Sequence, residues 1–186
     1  MAPVLIFLAI IFLLPVVYVI LTYNTLVALR NHIRDAWSNI DTELKRRYDL
    51  IPNLVATVKG YAAHERDVFE RVTQLRVQCM ASQGAPHEQA VDENLLVDAL
   101  QQLLAVVENY PQLKADQHFL KLQAELVNTE DRIQAARRFF NGNVRDYRNK
   151  CQSFPSSLIA GAFGFEPQDY FNVPPSVREV PSADFS

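Results

Sequence analysis

The sequence is short of the residues that most kinds of site chemistry require. It has only five glycines and two cysteines. Cys79 and Cys151 lie far apart, with no CxxC and no His spacing suited to zinc, so they read as two unpaired thiols of a reducing compartment; a disulfide has no support. The histidines are His32, His64, His87 and His118, preceded three positions earlier by Leu29, Tyr61, Gly84 and Ala115. No Glu-x-x-His pair of a carboxylate-bridged metal bundle exists, and His64-Glu65 is not followed by the second His of HExxH. GxSxG, the P-loop and GxGxxG are also missing. A net charge of −3 with both signs interspersed excludes the concentrated basic face that nucleic acid calls for. The expectation is therefore no catalytic residue, no cofactor, no metal and no nucleic acid.

What the chain does have is a hydrophobic run without a charge, APVLIFLAIIFLLPVVYVIL, over residues 2–21. Twenty apolar residues at 1.5 Å each reach about 30 Å, the thickness of a bilayer's hydrocarbon core. A lone span in that medium must satisfy its backbone internally, which selects a helix. Pro3 falls in the first turn, whereas Pro15 is internal and is expected to kink the helix at the carbonyl of Ile11. A cleaved secretory signal needs a basic leader, a shorter run and an A-x-A-like site, so an uncleaved anchor over 1–23 is expected. Arg30, Arg34, Lys45, Arg46 and Arg47 follow the run, which favours an outside N-terminus and a cytoplasmic domain.

Past the anchor about 160 residues remain, the size of one domain. Ile33, Trp37, Ile40 and Leu44 step by four, three and four, the spacing of one helix face. Pro52 denies the carbonyl of Tyr48 its hydrogen bond, so the helix either bends or ends here. The apolar phase runs on from Ile40 to Leu75, as a kinked helix would allow; a reversal buries more area and is preferred. Gly84 and Pro86 mark a loop, and Asn109-Tyr110-Pro111 a second stop. The last and longest helix carries Phe119, Leu122, Leu126, Ile133, Ala136, Phe140, Val144 and Tyr147 on one stripe, with Gly142 as a weak point. The expected fold is all-α: the transmembrane helix, then an antiparallel bundle over 24–150 with helices at about 24–48, 52–80, 88–108 and 112–150. An aromatic strap over 151–172 is anchored by Phe163, Phe165, Tyr170 and Phe171, and a Pro/Ser-rich disordered tail covers 173–186.

Three features have both an ordinary and a functional reading. Arg47 falls on the apolar phase, where it either pairs with a carboxylate such as Glu65 or joins Lys45 and Arg46 in a basic surface for lipid or an acidic partner. His64, followed by Glu65 and Arg66, reads as a surface residue at a polar point of a helix, against a very loose likeness to the phospho-accepting helix of a sensor kinase, for which the chain has no nucleotide-binding domain. Trp37, the single tryptophan, reads as bundle core, since a membrane-interface role would need it closer to residue 23.

Several phrases are those of a known family. LVALRNHIRDAWSNIDTELKRRYDLIPNLVATVKGYAAHE, ENYPQLKADQHFLKLQAELVNTEDRIQAARRFFN and FPSSLIAGAFGF with Asp169-Tyr170-Phe171 resemble the successive blocks of the LemA family, from about residue 20 to 172. The resemblance implies an N-terminal transmembrane helix and a bundle of about four helices in bacterial membranes, and supplies little about mechanism. Where such proteins usually carry two Tyr-Asn pairs, this chain has Phe140-Asn141 and Tyr147-Arg148.

The functional expectation is a non-enzymatic, membrane-anchored helical scaffold or interaction protein. Its partners would be the bilayer through residues 2–21, further copies of itself, and other membrane proteins. The alternatives are a membrane-shaping or envelope-stress component that assembles on the bilayer, and a regulator of a neighbouring membrane enzyme.

Overall fold

The structure, a computed structural model, describes residues 2–82 and 84–172. It is built from helices α1 (Ala2–Tyr61), α2 (Arg66–Ala81), α3 (Pro86–Val107), α4 (Pro111–Lys114), α5 (Gln117–Gln152) and α6 (Ser156–Ala162), with no strand among the described residues. The long apolar N-terminal helix is followed by further helices that form a helical bundle. The tail expected to be disordered, 173–186, lies outside the described residues. Two compact units divide the chain: Met1–Ser38 with Phe139–Gln168, and Asn39–Arg138 with Asp169–Ser186.

In the first unit α1 is unbroken through Pro15. Phe7, Phe12, Leu13, Leu14, Ile20 and Leu21 are all more than half exposed, with no protein packed over them. A window of mean hydropathy 2.2 within this helix is long and apolar enough to cross a membrane. Burial begins abruptly at Thr22 and Leu26, then continues at helical spacing through Ile33 and Ala36. The opposing stripe comes from Phe140, Val144, Tyr147 and Cys151 of α5. Trp37 meets Phe140 edge to face, with centroids 5.3 Å apart, so its place is in the bundle. Gly142 sits inside α5 without ending it.

The second unit is held by Ile40, Leu44, Ile51, Leu54 and Val58 of α1, Phe69, Val72 and Leu75 of α2, Leu96 and Leu103 of α3, and Phe119, Leu126 and Ile133 of α5. The preferred reversal at Pro52 does not occur. The helix passes through Pro52, and the chain turns at residues 62–65 instead. The reason lies in one hydrogen bond: Arg76 Nε of α2 donates to the carbonyl of Tyr48 at 2.7 Å, replacing the N–H that Pro52 lacks. His64 is therefore an exposed turn residue, not a helical one.

Two further boundaries move for local reasons. Pro86 opens α3, and Glu88 accepts from the N–H of Ala85 at 3.1 Å. The expected helix from 112 is interrupted at Asp116, whose Oδ1 accepts from the N–H groups of His118 (2.8 Å) and Phe119 (2.9 Å) and so caps α5.

Of the four strap aromatics, Phe165 and Phe171 are buried anchors, whereas Phe163 is 55% exposed and Tyr170 37%.

Candidate functional site

The densest arrangement of polar groups is inside the second unit, centred on Arg47. The step pattern that buries Leu44, Ile51 and Leu54 also points residue 47 inward, and its side chain is 1% exposed. Its guanidinium grips two carboxylates. One is Glu93 of α3, itself 4% exposed, and the other is Glu130 of α5 at 2.9 Å. The Tyr48 hydroxyl donates to the second oxygen of Glu93, so both oxygens of that buried acid are paired.

Arg76 joins through the Tyr48 carbonyl, and Arg132 approaches Glu43 at 3.8 Å. Burial pushes the Tyr48 phenol well above its ordinary range. The Cys79 thiol is likewise pushed up to about 11 by burial, so it stays protonated and unreactive near neutrality. Both cysteines are free and buried.

Chemically this is a buried ion-pair network. Both oxygens of Glu93 are engaged, whereas Arg47 Nε and Glu43 Oε2 are buried without a hydrogen-bond partner, and among the described residues no group of three His, Cys, Asp or Glu could hold a metal. Its evident work is mechanical: one arginine and one tyrosine of α1 tie together α2, α3 and α5.

Sequence reasoning singled out Lys45, Arg46 and Arg47 together, and the structure separates them. Arg47 is in the core and unavailable to lipid or partner. Lys45 and Arg46 are exposed, with Arg46 beside Glu43 at 3.6 Å. The partner of Arg47 is not Glu65, which lies in the turn before α2, but Glu93 and Glu130. Glu93 was missed, although a lone acid on the face of Leu96 and Leu100 was the available signal.

Comparison with known proteins sets this architecture in a family. The LemA family profile matches residues 36–185, beginning within the buried part of α1 and taking in all of the ion-pair network. The chain belongs to the LemA family. Named relatives include the magnetosome protein MamQ of Magnetospirillum gryphiswaldense, 27% identical over 182 residues, covering 84% of this chain and 67% of the relative. The magnetosome protein MamQ 2 of Paramagnetospirillum magneticum is 28% identical with the same coverage. Protein LemA of Metamycoplasma hominis is 26% identical over 138 residues, 74% of this chain and 63% of that protein. The chain thus spans about two thirds of the length of the magnetosome relatives. None of these names is an enzyme's. Family membership and the exposed apolar helix together describe a single-pass membrane protein.

Proposed function

We propose that this protein is a membrane-anchored helical interaction protein, without chemistry of its own, that self-associates at the bilayer. The observation that carries this reading is an open groove of about 620 Å³ in the second unit, between α1 and α2. Val55, Phe69 and Val77 supply apolar lining, and Lys59 and Glu70 place opposite charges on it. Val77 is 57% exposed at the groove.

A second copy suits the groove because a two-fold interface must be self-complementary. Lys59 of one copy can face Glu70 of the other. Confinement to one bilayer raises the local concentration of copies, so a modest interface is enough. The basic residues after the span favour a cytoplasmic bundle at a bacterial inner membrane.

The test uses purified full-length protein in phosphatidylethanolamine and phosphatidylglycerol vesicles. Val77→Cys is expected to form an oxidation-dependent covalent dimer that persists on lipid dilution and is lost when Val55→Glu is added. A separate thiol at Gln102→Cys, on an exposed position of α3 outside the groove, shielded from an impermeant maleimide in spheroplasts, would support the orientation. A chain that stays monomeric at every protein-to-lipid ratio would overturn the proposal.

A further inference from the structure

We propose that the strap around α6 is a second membrane contact, lying in the interface beside the end of the span. From Cys151 to Phe165 the chain carries no charged residue. The segment around α6 is two-faced: Ser156, Ile159 and Ala160 of the helix are buried, whereas Leu158 and the flanking Phe154 and Phe163 are 66%, 82% and 55% exposed. Three large apolar side chains displayed together on an uncharged segment form a patch that water does not favour.

The patch is held rigidly. Ser156 Oγ lies 2.6 Å from the carbonyl of Lys150 and 2.9 Å from that of Ser153, tying α6 to the end of α5. At the other end Gly164, at φ 68°, lets Phe165 N–H reach back to the carbonyl of Ala160 at 2.9 Å. This closing turn of the helix needs a left-handed residue at that position.

The register within the first unit fixes the depth. Trp37 packs on Phe140, and the Tyr147 phenol, pushed up to about 12 mainly by burial, also feels Arg30. α5 therefore runs antiparallel to α1 here, and that register brings its end, Gln152, level with Thr25. Ring contacts agree: Tyr23 meets Phe163 at 5.0 Å and Phe165 at 5.5 Å.

Tyr23 is two residues past the apolar run, roughly 3 Å along the helix axis from Leu21. That is the depth at which aromatic rings gather in bilayers. Arg30 lies over the inner ring, Phe165, at 5.2 Å. The exposed rings are thus continuous with the lipid-facing span, and the Arg30 guanidinium sits behind them where phosphates would be met. Lipid is the occupant that this continuity selects.

Spin labels on the full-length protein in phosphatidylethanolamine and phosphatidylglycerol vesicles provide the test. Nitroxides are placed at Phe154→Cys and Leu158→Cys, with Leu21→Cys as the lipid reference and Gln102→Cys, on an exposed position of α3, as the aqueous one. The buried native thiols are expected to take up no label, which the parent chain checks. The ratio of collisions with oxygen to collisions with a water-soluble nickel chelate is expected to exceed that of Gln102→Cys several-fold at both strap positions. A ratio equal to the aqueous reference would overturn the proposal. So would exclusion of both collision partners, which would indicate a protein contact. Both substitutions are at exposed positions, so loss of fold does not confuse the reading.

Discussion

Removing Arg47 is the sharpest way to test the account of the buried network. Arg47→Ala leaves Glu93, 4% exposed, with a single hydrogen bond from Tyr48 and no cation. Glu130 is less affected, because its side chain is 29% exposed and can turn to water. Stripping the partner from a buried charge costs about 3–5 kcal/mol, a large part of the 5–15 kcal/mol that holds a typical domain together.

Glu93→Gln should cost less, about 1–3 kcal/mol, since Arg47 keeps Glu130 at 2.9 Å and the amide can still accept from Tyr48. The double change Arg47→Met with Glu93→Met removes both charges and fills the space but leaves the Tyr48 hydroxyl without its acceptor, and should recover only part of the loss. In helical melts of the full chain in mild detergent, a chain of this size loses about 2–4 °C per kcal/mol. Arg47→Ala is therefore expected to lower the midpoint by roughly 6–20 °C. The reasoning is refuted if Arg47→Ala melts within about 2 °C of the parent, a loss below 1 kcal/mol. It fails equally if the double variant is no better than the single.

Three other outcomes follow from local geometry. Arg76→Leu should cost about 1–3 kcal/mol by orphaning the Tyr48 carbonyl, but less once Pro52→Ala returns an N–H to it; equal costs in the two backgrounds, measured by a double-mutant cycle, would sink the explanation of the unbroken helix. Gly142→Ala, where an added Cβ meets nothing within 4 Å, should stabilise α5 by about 0.5–1 kcal/mol and raise the melting midpoint. The Asp116 carboxyl is held below its ordinary value first by the Phe119 N–H, so its contribution is complete above pH 3.8 and disappears as pH falls through the lowered value. Asp116→Ala should accordingly speed amide exchange at His118 and Phe119 near neutrality, and an unchanged exchange rate would argue against the cap.

The all-α class, the span and the faces of the long helices were legible because each rests on a local periodic pattern. Chain reversal was not. Buried positions run Ile51, Leu54, Val58, Ala62, then Phe69, Val72, Leu75 and Cys79, so the heptad phase crosses the turn at 62–65 unchanged. Pro52 offered a conspicuous break instead, and its resolution depended on Arg76, 28 residues downstream of Tyr48. Arg47 was conspicuous for the same periodic reason, as a cation on an apolar phase. Its partners, 46 and 83 residues away, follow from helix packing that one-dimensional spacing does not encode. Asp116 was legible in principle as a helix-start residue, but the long apolar stripe around it concealed the interruption.

The network bears on function through register more than through net stability. A buried ion pair adds little stability over well-packed apolar residues. It does penalise misalignment, because a slip of one helical turn, about 5.4 Å, would strand Arg47 and Glu93 apart. The Arg76–Tyr48 bond imposes the same condition on α2 against α1. Those two helices line the groove of Val55, Phe69 and Val77, so its shape depends on their alignment. Buried polar residues that contribute no chemistry can thus still determine which surface the bundle presents. In this protein the charges work inward, and the side chains left to meet a partner or a bilayer are the exposed apolar ones.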